Sequence, residues 1–179
     1  MKLILLGGIS LKNKGWIEEV RDELKGDFET EILYYDHWET GAENMDFEAE
    51  GRKLGKICQS EYVVFAKSAG SWLTLKLAAE GRIKPVKIIL VGPAWDWARN
   101  NGFDPAGLAR KVTVPVLVVD KTSDPSLAFA DLQKEAGDLP NFKLVEIPGD
   151  THHYEDIVGL GKLAREFLAG HPKAGDLFL

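Results

Sequence analysis

A serine, an aspartate and a histidine follow three different predicted strands of this chain. They are Ser68, Asp124 and His152, in that order, and each comes shortly after an apolar run typical of a buried strand. A serine hydroxyl becomes a strong nucleophile only when a base within hydrogen-bonding distance takes its proton. An imidazole titrates near neutral pH and can do so when a buried carboxylate holds its tautomer. The residue types therefore predict Ser68 as nucleophile, His152 as base and Asp124 as orienting carboxylate.

The segment around Ser68 has the pattern of a nucleophile elbow. Residues 66–70 read Ala-Lys-Ser-Ala-Gly, which is G-x-S-x-G with alanine in place of the first glycine. In such an elbow a sharp strand-to-helix turn holds the hydroxyl above the sheet, and small neighbours prevent clashes. Ala66 is the smallest substitute that carries a side chain, so the turn remains feasible. The other interpretation is that Ser68 only caps the following helix.

Each partner of Ser68 has a rival nearby in the sequence. His153 adjoins His152, and one of the two could simply pack or cap; we favour His152 as the base. Asp120 ends its predicted strand directly, where a carboxylate often caps the next turn. We favour Asp124 because it lies a short turn beyond the strand, before Pro125.

Two further acidic and basic side chains have simpler interpretations. Asp150 is expected to be a turn residue beside Gly149. His37 follows the second predicted strand and could line a pocket, although an ordinary hydrogen-bonded histidine also fits that position.

An acyl transfer also needs donors for the developing oxyanion. The backbone N–H groups of Ala69, at the start of a helix, and Ile9, just past Gly8, are the candidates. Gly7 and Gly8 give the first loop freedom to approach the site. A Gly-Gly after a first strand could instead bind phosphate, but the chain has neither G-x-G-x-x-G nor G-x-x-x-x-G-K-[ST]. Binding of a nucleotide or flavin is therefore disfavoured.

Short apolar runs alternate with amphipathic stretches along the whole chain. Strands are predicted at Leu3–Leu6, Phe28–Tyr35, Tyr62–Ala66, Val86–Val91, Val114–Val119 and Phe142–Ile147. Helices are predicted at Asn13–Lys25, Phe47–Ser60, Ala69–Glu80, Leu127–Ala136 and Ile157–Leu168. Strict alternation indicates βαβ units and a parallel sheet covered on both faces. The predicted fold class is α/β, a three-layer α/β/α sandwich with a six-stranded parallel sheet.

The stretch from Gly92 to Lys111 interrupts this alternation. A connection of about 20 residues is long, and long connections are often lids or binding loops. A short helix plus a packed loop explains the same residues equally well. Trp95 and Trp97 lie in this stretch; with Trp38 and Trp72 they could line an apolar acyl pocket, or they could belong to the core.

Length and composition restrict the class of protein. The 179 residues predict one domain, residues 1–179, and a hydrophobic content of 45% excludes a disordered chain. The net charge of −6 argues against partners that require a basic face, namely nucleic acids and anionic membranes. The run from Leu3 to Ile9 is far shorter than the ~20 residues of a membrane span. A single cysteine, Cys58, rules out an internal disulfide and fits a cytoplasmic location.

The chain resembles the α/β-hydrolase superfamily, in particular its small serine hydrolases of the retinoblastoma-binding protein 9 type. The segments that carry the resemblance are residues 3–8, 66–70, 116–125 and 147–152. The resemblance implies a minimal α/β-hydrolase fold with Ser68, Asp124 and His152 as catalytic residues and the amides of Ile9 and Ala69 as oxyanion donors. The predicted acyl-transfer mechanism needs no cofactor and no metal. Gly7-Gly8 stands where larger members have His-Gly, and their leading antiparallel strands are absent, so the sheet should be all parallel.

Two functions remain in view. The first is a serine hydrolase that cleaves a small ester by a Ser-His-Asp acyl-enzyme mechanism, with amides or thioesters also possible. The second is a non-catalytic binding protein on a decayed hydrolase scaffold. The presence of Ser68, Asp124 and His152 at three strand ends favours the enzyme.

Overall fold

The predicted strands form one parallel sheet in the computed structural model, which describes residues 1–170. The strand order is β2-β1-β3-β4-β5-β6, and every neighbouring pair is parallel. The strands are β1 Lys2–Leu6, β2 Glu29–Ile32, β3 Tyr62–Ser68, β4 Lys87–Pro93, β5 Val116–Lys121 and β6 Phe142–Ile147. The six-stranded parallel sheet predicted from the sequence is confirmed.

Helices cover the two faces of this sheet. They are α1 Lys12–Leu24, α2 Asp36–Thr40, α3 Phe47–Ile57, α4 Ala69–Ala79, α5 Trp95–Asn100, α6 Pro105–Ala109, α7 Phe129–Ala136 and α8 Ile157–Ala169. Helix α1 packs against α8, whereas α4 packs against α3 and α6, and α6 against α7. These two groups are the outer layers of a three-layer α/β/α sandwich.

The hydrophobic core lies along the central strands. Strands β4 and β5 are buried along their whole lengths, and β3 is buried from Tyr62 to Lys67. Parallel strands covered on both faces read as continuous runs of Val, Ile and Leu, because neither face meets water. This rigid centre carries the strand ends from which the candidate site is built.

Some element boundaries differ from those predicted. The edge strand β2 is shorter than Phe28–Tyr35, because it pairs with β1 only from Glu29 to Ile32. Strand β5 begins after Pro115, which has no N–H to donate, and continues to Lys121. Asp120 therefore lies inside the sheet and not in the following turn.

The stretch from Gly92 to Lys111 consists largely of two short packed helices. In α6 the carboxylate of Asp104 accepts a hydrogen bond from the Gly107 amide at 2.8 Å, and Pro105 occupies the first turn. The side chains of Trp95 and Ala98 in α5 are buried. Of the two interpretations of this stretch, packed short helices describe it.

The tryptophans considered as pocket residues are mostly part of the core. Trp72 and Trp95 are almost fully buried and Trp38 is buried, whereas Trp97 is partly exposed and stacks on Phe47. Trp72 packs against Phe103, whereas Trp38 packs against Tyr35 and His37. Within residues 1–170, no helix is both long enough and apolar enough to cross a bilayer.

Candidate active site

Ser68 occupies a strained turn between β3 and α4. Its φ is +53° and its ψ is −117°, and in residues 1–170 Ser60 is the other non-glycine residue with positive φ. Such backbone conformations cost about 1–3 kcal/mol and persist where the surrounding structure enforces them. Here Ser71 Oγ donates a 2.8 Å hydrogen bond to the carbonyl of Ala66, across the turn. The strand, turn and helix of the predicted elbow are therefore present, with the Ser68 side chain at the turn.

The structure brings the three predicted side chains together. His152 Nε2 lies 2.8 Å from Ser68 Oγ, and His152 Nδ1 lies 2.9 Å from each carboxylate oxygen of Asp124. An ionised carboxylate only accepts hydrogen bonds, so we assign the imidazole proton to Nδ1. Nε2 is then unprotonated and accepts the hydroxyl proton of Ser68. The three groups form one hydrogen-bonded chain from an alcohol to a carboxylate.

Asp124 is buried and has several donors. Besides His152, the backbone amide of Ser126 donates to it at 2.8 Å and the Tyr154 hydroxyl at 2.7 Å. Burial works to raise the pKa of Asp124, but the hydrogen bonds from His152, Ser126 and Tyr154 outweigh it and leave that pKa below its usual value. Asp124 is therefore an anion at neutral pH and can stabilise an imidazolium on His152.

The rival residues lie elsewhere. The side chain of His153 is exposed, and its carbonyl accepts a hydrogen bond from Lys121 Nζ. Asp120 is buried in β5 and contacts Tyr154 instead of His152. Asp150 is exposed in the loop after β6. None of the three makes a hydrogen bond to Ser68 or to the ring of His152.

The loop between β1 and α1 approaches Ser68 through glycine. A β-carbon placed on Gly8 would lie 3.1 Å from Ser68 Cβ, so the backbone itself comes close to the serine. The carbonyl of Ile9 accepts hydrogen bonds from His37 Nε2 at 2.6 Å and Trp38 Nε1 at 3.1 Å. His37, left open by the sequence, is thus a buried residue that fixes this loop.

The second candidate oxyanion donor is the amide of Ala69. Ala69 is the first residue of α4, where amides have no acceptor within the helix and the helix dipole favours negative charge. The assignment of the Ile9 and Ala69 amides as oxyanion donors stays a prediction.

Tyr154 is the part of the site that sequence reasoning missed. Its hydroxyl lies between Asp124 and Asp120, at 2.7 Å and 2.9 Å. Space for its ring depends on Gly92, which has a φ of +51° and where a β-carbon would lie 2.6 Å from the ring. A glycine near the end of β4 only weakly indicates that a large side chain packs against the backbone there. Nothing in the sequence links it to a tyrosine so distant along the chain.

Lys67, inside the elbow, was also unassigned. Its side chain is buried, its Nζ donates to Asn13 Oδ1 at 2.9 Å, and it lies 5.4 Å from the centre of the Trp16 ring. Burial lowers the pKa of Lys67 to about 8. Lys67 forms part of a cleft of about 450 Å³ beside His152. The other residues around this cleft are Ser10, Lys12, Asn13, Trp16, His153, Tyr154 and Glu155.

Comparison with solved structures identifies the fold. A serine hydrolase of carbazole degradation, the CarC enzyme, superposes with a TM-score of 0.77 at 15% identity, over 94% of this chain and 91% of that one. Est1E from Butyrivibrio proteoclasticus gives 0.69 at 18% identity over 94% and 86%. An α/β serine hydrolase homologue from Coxiella burnetii gives 0.72 at 14% identity over 94% and 85%.

At these identities the likeness concerns the fold, which is the α/β-hydrolase fold. No protein-family model matches the chain, and no curated protein matches it either.

Proposed function

We propose that this protein is a serine hydrolase that cleaves a small carboxylic ester through an acyl-enzyme. The observation that carries the proposal is the hydrogen-bonded chain from Ser68 Oγ through His152 to Asp124, with distances of 2.8 Å and 2.9 Å. An isolated serine at a helix start would need neither a histidine at its hydroxyl nor a buried carboxylate behind that histidine. The hydrolase fold of the structural neighbours supports the same class of reaction.

In the first half of the reaction His152 acts as general base. Nε2 takes the hydroxyl proton as Ser68 Oγ attacks the ester carbonyl, and the carbonyl π electrons move to its oxygen. The amides of Ile9 and Ala69 are our candidates to stabilise that oxyanion, and Asp124 stabilises the imidazolium. Collapse of the tetrahedral intermediate expels the alkoxide, which takes the proton from Nε2 and leaves as an alcohol.

In the second half water replaces the alcohol. His152 Nε2 removes a proton from water, whose oxygen attacks the acyl carbon and forms a second tetrahedral intermediate. Its collapse breaks the bond to Ser68 Oγ, which recovers the proton from His152, and a carboxylic acid leaves. These steps balance with the side chains of the site and water alone.

The cleft of about 450 Å³ meets the site at His152, the one triad residue that lines it, so we propose it as the pocket for one arm of a small ester. Its volume is in the lower part of the range of about 300–1,000 Å³ for small-molecule sites. We further propose that residues 1–179 form one domain. We also propose a cytoplasmic location, which suits the free cysteine Cys58.

The test is covalent labelling by a fluorophosphonate, in which the oxygen of an activated serine displaces fluoride from phosphorus and becomes phosphonylated. We expect rapid labelling of the wild-type protein, no labelling of Ser68→Ala, and full labelling of Ser60→Gly, a matched control at an exposed serine before β3 whose positive φ suits glycine. A series of p-nitrophenyl esters of increasing acyl length then defines the acyl group.

The competing function is a non-catalytic binding protein on a hydrolase scaffold. A wild-type protein that is folded but inert to the probe would favour that function, as would labelling that persists in Ser68→Ala. Either result would overturn the enzymatic proposal.

A further inference from the structure

The hydroxyl of Tyr154 lies between two buried aspartates. Its oxygen is 2.9 Å from Asp120 Oδ1 and 2.7 Å from Asp124 Oδ2. The backbone N–H of Lys121 also points at this oxygen, from 3.3 Å. Three polar groups thus surround one phenol oxygen in the interior of the protein.

The number of protons restricts how these groups can be charged. A phenol has one hydrogen to donate, and an ionised carboxylate has none. If both aspartates were ionised, one of the two short oxygen–oxygen contacts would join lone pairs without a proton between them. One of the aspartates therefore carries a proton, which it donates to the oxygen of Tyr154.

The surroundings of the two aspartates decide which one it is. Asp124 accepts hydrogen bonds from the Ser126 amide and from His152 in addition to Tyr154. Asp120 is fully buried, and its Oδ2 has no hydrogen-bond partner among residues 1–170. A buried charge with one oxygen that lacks any donor is strongly unfavourable. Burial raises the pKa of Asp120 to about 7, reinforced by the charge of Asp124 and opposed by the hydrogen bonds that Tyr154 and the Lys121 backbone give to the ionised form.

The nearby cations do not change this assignment. Lys67 Nζ and Lys121 Nζ lie 5.8 Å and 5.2 Å from the centre of the Tyr154 ring, not against Asp120. Lys121 Nζ is paired with Glu155 at 3.3 Å and with the carbonyl of His153. In the described part of the chain, no cationic side chain forms an ion pair with Asp120.

We propose that Asp120 is a neutral carboxylic acid that acts as a positioning residue, donating to Tyr154 so that Tyr154 donates to Asp124. This inference rests on the proposed function of Ser68, His152 and Asp124. The direction of the two hydrogen bonds keeps Asp124 an acceptor, with its charge available to His152 Nδ1. When Asp120 loses its proton, two carboxylates compete for one phenol hydrogen, and the support of Asp124 weakens.

The protonation of Asp120 is tested without any substrate. Infrared difference spectra between wild-type protein and Asp120→Asn at pH 6 should contain the C=O band of a protonated carboxylic acid, shifted in D₂O. In the wild-type protein this band should disappear as pH rises through about 7. Absence of the band in wild-type protein at pH 6 would overturn the proposal. So would its persistence in Asp120→Asn, and both results are independent of whether the protein is a hydrolase.

The pH dependence of unfolding is a second test of the protonation of Asp120. A carboxyl group whose pKa is raised by folding contributes stability that is present below its unfolded pKa and is lost as pH rises through its folded pKa. We expect the urea midpoint of wild-type protein to fall relative to Asp120→Asn between about pH 4 and about pH 7. A constant difference over that range would contradict a neutral Asp120.

The positioning role is tested on the pH profile of ester hydrolysis. In the wild-type enzyme kcat should fall as pH rises through about 7, because Asp120 loses its proton. In Asp120→Asn the amide can donate to Tyr154 at every pH, so this fall in kcat should be absent. Tyr154→Phe interrupts the relay and should lower kcat by roughly tenfold or more with little change in KM. An unchanged pH profile in Asp120→Asn would overturn the positioning role. If wild-type protein fails to label with fluorophosphonate, the proposed function fails, and the infrared result still stands.

Discussion

Gly70 and Gly7 are in direct backbone contact across the candidate site. A β-carbon on Gly70 would lie 2.6 Å from the carbonyl oxygen of Gly7 and 2.9 Å from the hydroxyl of Tyr35. That hydroxyl donates a hydrogen bond to the same carbonyl at 2.9 Å. The first turn of α4, which carries the elbow, therefore supports the loop that carries Ile9. The last glycine of the elbow pattern is required for this packing and not for an unusual φ.

A methyl group at Gly70 should thus disturb both partners. We expect Gly70→Ala to destabilise the protein by about 1–3 kcal/mol, the range for overpacking, and to lower kcat by displacing the Gly7 loop. Gly55→Ala in α3 is the matched control, because a β-carbon there meets nothing within 4 Å. That substitution should stabilise the protein by roughly 0.4–1 kcal/mol. Urea denaturation and ester hydrolysis measure both effects, and equal behaviour of the two variants would contradict the contact.

Adjacent histidines allow a sharp test of the base. His152→Gln should lower kcat/KM by at least about 10⁴-fold, because the variant has no imidazole to take the proton of Ser68. His153→Gln should keep a kcat near the wild-type value, since its side chain is exposed and makes no hydrogen bond to Ser68. Initial rates with p-nitrophenyl acetate are the measurement. A large loss in His153→Gln with retention in His152→Gln would reverse the assignment.

The charge of Asp124 should be visible in both activity and stability. Asp124→Asn should lower kcat by about 10⁴-fold, because an amide can hold the wrong tautomer of His152. The lowered pKa of Asp124 means that its charge adds stability above its unfolded pKa of about 3.9, and that this stability is lost as pH falls through the folded value. Urea midpoints of wild-type protein and Asp124→Asn should therefore differ at pH 7 and converge at strongly acidic pH. A difference that is the same at all pH values would exclude a stabilising charge.

His37 should matter for rate through the loop that it holds. His37→Phe removes the 2.6 Å hydrogen bond to the Ile9 carbonyl and leaves that from Trp38. A loosened Ile9 amide should lower kcat by about 10- to 100-fold with little change in KM. Affinity for a boronic acid that mimics the tetrahedral intermediate should fall in parallel. His37→Gln can still donate to that carbonyl and should recover part of the loss; equal kcat in His37→Phe and wild-type protein would contradict the role.

Local sequence patterns predicted the strands and helices well where a strand is covered by helices on both faces. The continuous apolar run of β4 indicated a strand buried on both faces, and the small residues from Ala66 to Gly70 predicted a turn with a helix behind it. Boundaries were wrong where pairing decided them: β5 continues through Asp120 because β6 pairs with it as far as Lys121. A one-dimensional pattern has no information on where a neighbouring strand ends.

The site was predictable only to the level of strand ends. Because carboxyl ends of parallel strands share one edge of a sheet, the sequence alone predicts Ser68, Asp124 and His152 at one place. Tyr154 and Gly92 were not, since the contact between them joins a loop after β6 to the end of β4. The hydrophobic pattern of a strand or helix predicts which of its residues are buried. It does not predict which side chains of distant segments contact one another.

The amino-acid sequence by itself determined the α/β class, the parallel sheet and the candidate nucleophile, because alternating hydrophobicity and small turn residues act over a few neighbouring positions. Only the tertiary structure decided which histidine meets Ser68, which aspartate meets that histidine, and that Asp120 has a phenol as its partner. Those choices depend on packing between segments distant along the chain. Their energies come from burial and hydrogen-bond geometry that exist only once the sheet has formed.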